Sequence, residues 1–148
     1  MSIENRISQV IEKFNEFSDW EDRYRVLIKI GKNLKELDEA KKLSKFEVKG
    51  CQSKVWLVPE LKDGLVYFHA DSDAILVKGI IGLLLEVYSG STTDEIMSHP
   101  PSFLKEIGIT EHLSMNRTNG LASMVKQIQM YATLFKSLTD KGIKDADL

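Results

Sequence analysis

Phe46-Glu47-Val48-Lys49-Gly50-Cys51-Gln52-Ser53-Lys54-Val55-Trp56-Leu57-Val58-Pro59 is the stretch in which the period of the chain changes. Before it, apolar residues recur every three or four positions. Within it, Phe46 and Val48 alternate with Glu47 and Lys49, and Val55-Trp56-Leu57-Val58 is a β-branched and aromatic run closed by Pro59. The pattern predicts two short strands joined through Gly50-Cys51-Gln52-Ser53. Asp63-Gly64 is a hairpin turn signal, and Leu65-Val66-Tyr67-Phe68-His69 follows as a third strand. A small three-stranded antiparallel sheet is the expected product.

Helices flank this sheet on both sides in sequence. Ile3, Ile7, Val10, Ile11, Phe14 and Phe17 fall on one helical stripe. Ser18-Asp19-Trp20-Glu21 has the spacing of a capping box and predicts a second helix with Trp20, Tyr24, Leu27 and Ile28 on its apolar face. The lysine-rich segment from Asp38 to Lys45 reads as a solvated connector. After the third strand, Asp71-Ser72-Asp73 offers N-cap oxygens to an apolar helix from Ala74 to Tyr88, with Gly90 as its stop. Thr92-Thr93-Asp94-Glu95 is a second capping-box match, opening a short helix that ends before Pro100-Pro101. Ser102 to Asn116 is expected as short helical turns. A last helix carries Leu121, Met124, Val125, Ile128, Ala132, Phe135 and Leu138 on one face, with Arg117 just before it. The fold class is therefore α+β, several helices packed against a small sheet in a single domain over residues 1–148.

Composition narrows the function classes. A chain of 148 residues can bury roughly 68–70% of its unfolded surface, so it needs neither disulfides nor metal to fold. Its formal net charge of −2 gives no large positive field to attract nucleic acid. The Ala74–Tyr88 run contains Lys78 and Glu86 and falls short of the roughly 20 apolar residues of a membrane span. A single cysteine and an N-terminus without signal-peptide character make a reducing cytoplasm the natural setting.

Cys51 is the one residue with obvious reactive chemistry. Free cysteine often serves as a small buried hydrophobe, whereas a loop position beside the flexible Gly50 lets a thiol reach the surface; both readings stand on the residues alone. If Cys51 is reactive, a carrier role fits better than a hydrolase. A cysteine hydrolase needs a histidine base and an orienting group, and His69, His99 and His112 have no recognisable spacing to Cys51. Persulfide transfer asks only for an accessible thiolate, since the donor can supply acid and base. No C-x-x-C or H-x-x-x-H pair suggests a metal site, and Gly79-Ile80-Ile81-Gly82 is better explained by close helix packing than by phosphate binding.

Val48-Lys49-Gly50-Cys51-Gln52-Ser53-Lys54-Val55-Trp56-Leu57, Ala70-Asp71-Ser72-Asp73-Ala74 with Val77-Lys78-Gly79, and Asn116-Arg117-Thr118-Asn119-Gly120-Leu121 together resemble the SufE/CsdE family of sulfur acceptors, in that order and spacing. The likeness begins at Trp20-Glu21-Asp22-Arg23-Tyr24 and reaches the last helix; Leu34-Lys35 departs from it, since family members often carry Leu-Pro there. The resemblance implies that Cys51 accepts persulfide sulfur from a PLP-dependent cysteine desulfurase, SufS-like or CsdA-like, stimulates it, and passes the sulfur on for iron-sulfur cluster assembly. PLP then belongs to the partner and the chain carries no cofactor or metal of its own. It acts as a sulfur-transfer partner protein rather than a stand-alone enzyme, with a cluster scaffold downstream. Gly50, Gln52, Asp71, Ser72, Asp73 and Arg117 fall where they would surround the cysteine or meet the desulfurase. The alternatives are a scaffold or metal-binding protein of cluster assembly, or a regulator that binds a desulfurase without accepting sulfur; a single cysteine argues against a scaffold, because clusters are mostly held by several thiolates.

Overall fold

The computed structural model, which describes residues 1–148, builds its sheet on the hairpin of β1 (Val55–Lys62) and β2 (Leu65–Ser72). Lys62 pairs with Leu65 across a two-residue turn in which Asp63 has φ 51° and Gly64 φ 78°. Aspartate and glycine are the residues that accept two successive positive φ angles, so the turn fixes the register. β1 runs through Pro59 instead of stopping there. The carbonyl of Val55 accepts from Val48 on the side away from β2, and Pro59, four residues on, faces that same side, where no ladder donor is required of it.

The sheet has three antiparallel strands, but the third is not the expected one. Ser44–Phe46 is a 3-10 turn, and beyond it Glu47 makes a single bridge to Trp56. The turn places Phe46 in a small apolar cluster with Leu37 and Val58. The third strand is β3 (Ala146–Asp147), pairing with Leu61 and Glu60 on the other edge of β1. The order is thus β2-β1-β3.

Six helices surround the sheet. Asp19, not Ser18, caps α2 (Trp20–Asn33), its carboxylate accepting from the Glu21 N–H, while α1 (Ile3–Asn15) starts from Ser2. α3 (Ile75–Tyr88) starts from Ala74 without a side-chain cap. None of the Asp71-Ser72-Asp73 oxygens caps its first turn: Asp71 accepts from the Ser72 N–H, the Ser72 hydroxyl accepts from the N–H of Ala74 itself, and Asp73 turns its carboxylate to the Lys54 N–H. Thr92 and Glu95 form the expected capping box of α4 (Thr93–Ser98), with reciprocal bonds of 3.1 and 2.9 Å. After α5 (Phe103–Glu106) and a 3-10 turn at Ile109–Glu111, α6 (Met115–Thr139) begins earlier than its apolar stripe indicates. Ser114 accepts from the Arg117 N–H, so Arg117 lies inside the first turn rather than before the helix.

α3 is the centre of the molecule, packed by α1, α2, α6 and β2. It is buried almost all round, as its near-continuous apolar sequence requires. Glycines set its distance from α2: a Cβ on Gly79 would stand 2.1 Å from the Leu27 carbonyl oxygen, and one on Gly82 would stand 2.9 Å from the Ile30 side chain. Helix packing accounts for Gly79-Ile80-Ile81-Gly82. α6 packs on both α3 and β1, and so reaches the end of the sheet where the Cys51 loop emerges.

Candidate functional site

Three backbone features hold the loop from Lys49 to Lys54. Gly50 has φ +89°, a conformation that other residues adopt at a cost of about 1 kcal/mol or more, and the position of its missing Cβ lies 2.7 Å from the Ser123 hydroxyl oxygen. Next, Cys51 sits against Gly120, where a Cβ would stand 3.1 Å from its sulfur. Gly120 and Ser123 are three residues apart and share one face of α6, so this helix offers the loop a seat of small residues. At the far end, Lys54 and Asp73 bond reciprocally: the Lys54 N–H donates to the Asp73 carboxylate at 3.0 Å, and the Asp73 N–H donates to the Lys54 carbonyl at 3.2 Å.

The Cys51 thiol is half-buried and donates to the Gly120 carbonyl oxygen at 3.7 Å. Beside it lies a cavity of about 230 Å³. Cys51, Gln52 and Ser53 line it from the loop, Val77 and Ile80 from α3, and Ser114, Asn116, Arg117, Gly120 and Met124 from α6 and its cap. No carboxylate and no histidine is among them. Burial pushes the thiol above its ordinary value of 9.0, since withdrawal from water disfavours the anion. In the free protein the sulfur is therefore a protonated, weakly nucleophilic thiol at neutral pH.

The residues singled out from the sequence fall into two groups. Cys51, Gln52 and Arg117 meet in the cavity, the first two on the loop that Gly50 shapes and Arg117 on α6. Arg117 is exposed and makes no salt bridge, so its guanidinium is available at the cavity mouth. Asp71, Ser72 and Asp73 do not line the cavity. Asp73 anchors the loop, whereas the Ser72 hydroxyl accepts from the Ala74 N–H. Asp71 is a buried carboxylate held by Lys42 at 3.1 Å and Lys78 at 3.3 Å. Burial raises its pKa, but the Ser72 N–H and the two ammonium groups outweigh burial and bring the carboxyl below its ordinary 3.8. Its role is to pin the lysine-rich connector to the corner between β2 and α3.

Sequence reading missed the wall formed by Ser114, Asn116, Gly120 and Met124. An isolated glycine within a helical pattern, here Gly120, is the signal that close approach was needed there. Val77 and Ile80 give no such signal, because their spacing is that of any core helix. The histidines lie elsewhere: His69 beside Glu60, His99 beside Glu4, and His112 stacked on Trp20 with centroids 4.0 Å apart. No three His, Cys, Asp or Glu side chains gather where they could hold a metal ion, and no helix is long and apolar enough to cross a membrane.

Comparison with known proteins places this geometry. Residues 8–132 match the family model described as SufE: Fe-S metabolism associated domain. An uncharacterized SufE-like protein of Rhizobium meliloti (strain 1021) is 40% identical over 131 residues, covering 85% of this chain and 94% of that protein. Another, from Synechocystis sp. (strain ATCC 27184 / PCC 6803 / Kazusa), is 35% identical over 130 residues, covering 88% and 82%. Among solved structures, the solution structure of a hypothetical protein from Thermus thermophilus superposes with a TM-score of 0.75 at 24% identity, covering 90% of this chain and 96% of that one, which speaks to the fold.

Proposed function

We propose, from the premise that this chain belongs to the SufE family, that Cys51 accepts persulfide sulfur from a PLP-dependent cysteine desulfurase, stimulates that enzyme by relieving it of sulfur, and hands the sulfur on for iron-sulfur cluster assembly. The observation that carries the reading is the 230 Å³ cavity beside the Cys51 sulfur, which gives one added sulfur atom a place out of bulk water. In the transfer, the Cys51 thiolate attacks the outer sulfur of the donor's persulfide. The bond between that sulfur and the donor's inner sulfur breaks, and the electron pair leaves on the donor thiolate. A neutral sulfur atom changes hands with no external oxidant or reductant.

The chain's residues set the conditions for this step. The closed loop keeps the thiol protonated and quiet in the free protein, so docking of the donor must lift Cys51 off Gly120 and ionise it. The Arg117 guanidinium lines the same cavity and is the group placed to pair with the persulfide anion once the loop has opened. The desulfurase's own PLP performs the release of sulfur from cysteine, and a cluster scaffold is the downstream recipient.

Incubation with cysteine and a SufS-like or CsdA-like desulfurase, followed by intact mass measurement, tests the reading. The expected result is a gain of roughly 32 mass units on the wild-type chain and none on Cys51→Ser, with loss of desulfurase stimulation in the variant. Undiminished stimulation by Cys51→Ser would mean a regulator that binds without accepting sulfur, and the carrier reading would fall.

A further inference from the structure

We propose that the cavity beside Cys51 binds a small persulfide of amino-acid size that carries a carboxylate, and that Cys51 takes sulfur from such a molecule without a donor protein. The inference rests on the proposed function and adds a second class of sulfur donor to it.

The cavity is larger than its cargo. One added sulfur takes about the room of a water molecule, ~30 Å³, whereas the cavity measures about 230 Å³. Sites that enclose drug-sized ligands run from about 300 to 1,000 Å³, so this one suits a molecule with the bulk of a single amino acid. It is present with the loop closed and the sulfur on Gly120, so a donor of that size enters without lifting the loop.

The lining divides by chemistry. Val77, Ile80 and Met124 are buried and supply an apolar wall. Gln52, Asn116 and Arg117 are exposed, and their side chains bond to no other group of the chain. Each of the three offers N–H donors, and no lining residue carries a carboxylate. Arg117 is the one charged residue among them, so the lining selects an anion rich in acceptor lone pairs, and a planar carboxylate matches the guanidinium fork. Asn116 and Arg117 also stand in the first turn of the 25-residue α6, where the helix dipole favours an anion.

The spacing along α6 fits the same molecule. Arg117 precedes Gly120, the seat of the sulfur, by three residues, which places both on one helix face about 4.5 Å apart along the axis. In cysteine persulfide, Cα, Cβ and the inner sulfur separate the carboxylate from the outer sulfur, a span of about one helical turn. A carboxylate held at Arg117 therefore leaves the outer sulfur within reach of Cys51. The Cys51 sulfur attacks that atom, the bond between the donor's two sulfurs breaks, and the electron pair leaves on the inner sulfur. The proton given up by Cys51 ends on the departing cysteine. Holding the donor beside a quiet thiol offsets the low nucleophilicity by proximity.

The test is loading of Cys51 in the absence of desulfurase, followed by intact mass over a range of donor concentrations. Cysteine persulfide is compared with 2-hydroxyethyl persulfide, which has the same reacting atoms and no carboxylate, each made from its disulfide and sulfide. The wild-type loading rate is expected to saturate with cysteine persulfide and to rise linearly with the hydroxyethyl donor. Arg117→Ala should raise the half-saturating concentration of cysteine persulfide about tenfold, Arg117→Lys should recover part of the loss, and neither should alter loading by the hydroxyethyl donor. A linear rise with cysteine persulfide in the wild type, or no loading from it, overturns the proposal. So does an Arg117→Ala variant that half-saturates at the wild-type concentration, or that slows both donors alike, because the arginine then acts on Cys51 and not on a carboxylate. Failure of the reading beneath looks different: no mass is gained with any desulfurase, whatever the small donors do.

Discussion

The Cys51 sulfur lies 3.7 Å from the carbonyl oxygen of Gly120 and fits there because residue 120 has no side chain. The closed position of the loop thus depends on a glycine 69 residues further along the chain.

Gly120→Ala should separate loop closure from stability. Alanine in a helix interior gains about 1 kcal/mol over glycine, while its Cβ at 3.1 Å from the sulfur pushes a short loop rather than a packed helix. The expected outcome is an unfolding midpoint that is unchanged or up to about 4 °C higher, together with severalfold faster alkylation of Cys51 by a bulky reagent. An alkylation rate equal to wild type would show that Gly120 does not hold the loop shut.

Alkylation of the free wild-type protein should follow a pH profile with its midpoint above 9.0, and at neutral pH it should be slower than that of free cysteine. Stability carries the same signature. The folded protein keeps the thiol neutral beyond the pH at which the unfolded chain ionises, so the contribution is complete below about pH 9 and is lost as pH rises through the higher folded value. Cys51→Ser should flatten that alkaline decline in a series of denaturant midpoints.

Asp71→Asn keeps the volume but leaves the Lys42 and Lys78 ammonium groups without their shared anion. A loss of about 1–3 kcal/mol at neutral pH is expected in urea unfolding. The depressed carboxyl of the wild type stabilises the fold above its unfolded value, and that contribution disappears as pH falls through the lower folded value. The variant should therefore show a shallower decline below about pH 4, converging on the wild type.

Arg117 is exposed, so Arg117→Ala and Arg117→Lys should leave the unfolding midpoint within about 0.5 kcal/mol of wild type. Sulfur loading of Cys51 or desulfurase affinity should fall in Arg117→Ala and be only partly recovered in Arg117→Lys, because an ammonium lacks the planar donor fork. Normal loading in both variants would return Arg117 to the solvated surface.

Features carried by a few adjacent residues were readable from sequence. Asp63-Gly64 specified its turn and Thr92 to Glu95 specified its cap, since each is settled by local φ preferences and side-chain reach. Features that depend on competition between neighbours were not. Asp19 displaced Ser18 as cap because its carboxylate reaches the Glu21 N–H. Asp73 was drawn away from the start of α3 by the Lys54 N–H, a partner 19 residues away in sequence. The two-residue strand Ala146–Asp147 has no periodicity to detect and exists only through its pairing with β1. The candidate cysteine, Gln52 and Arg117 could be singled out one by one; the cavity that joins them to α3 and α6 is a product of packing.

The division of the cavity between distant segments has a consequence for synthesis. Cys51 leaves the ribosome well before Gly120, Ser123 and Met124, and at about 5–20 residues per second the interval lasts several seconds. During that time the thiol has no Gly120 seat and lacks the α6 side of its cavity, with only Val77 and Ile80 of α3 already made. A nascent chain released or arrested before α6 displays an ordinary reactive cysteine, open to any oxidant or electrophile nearby. Emergence of the last long helix is the event that makes this cysteine selective.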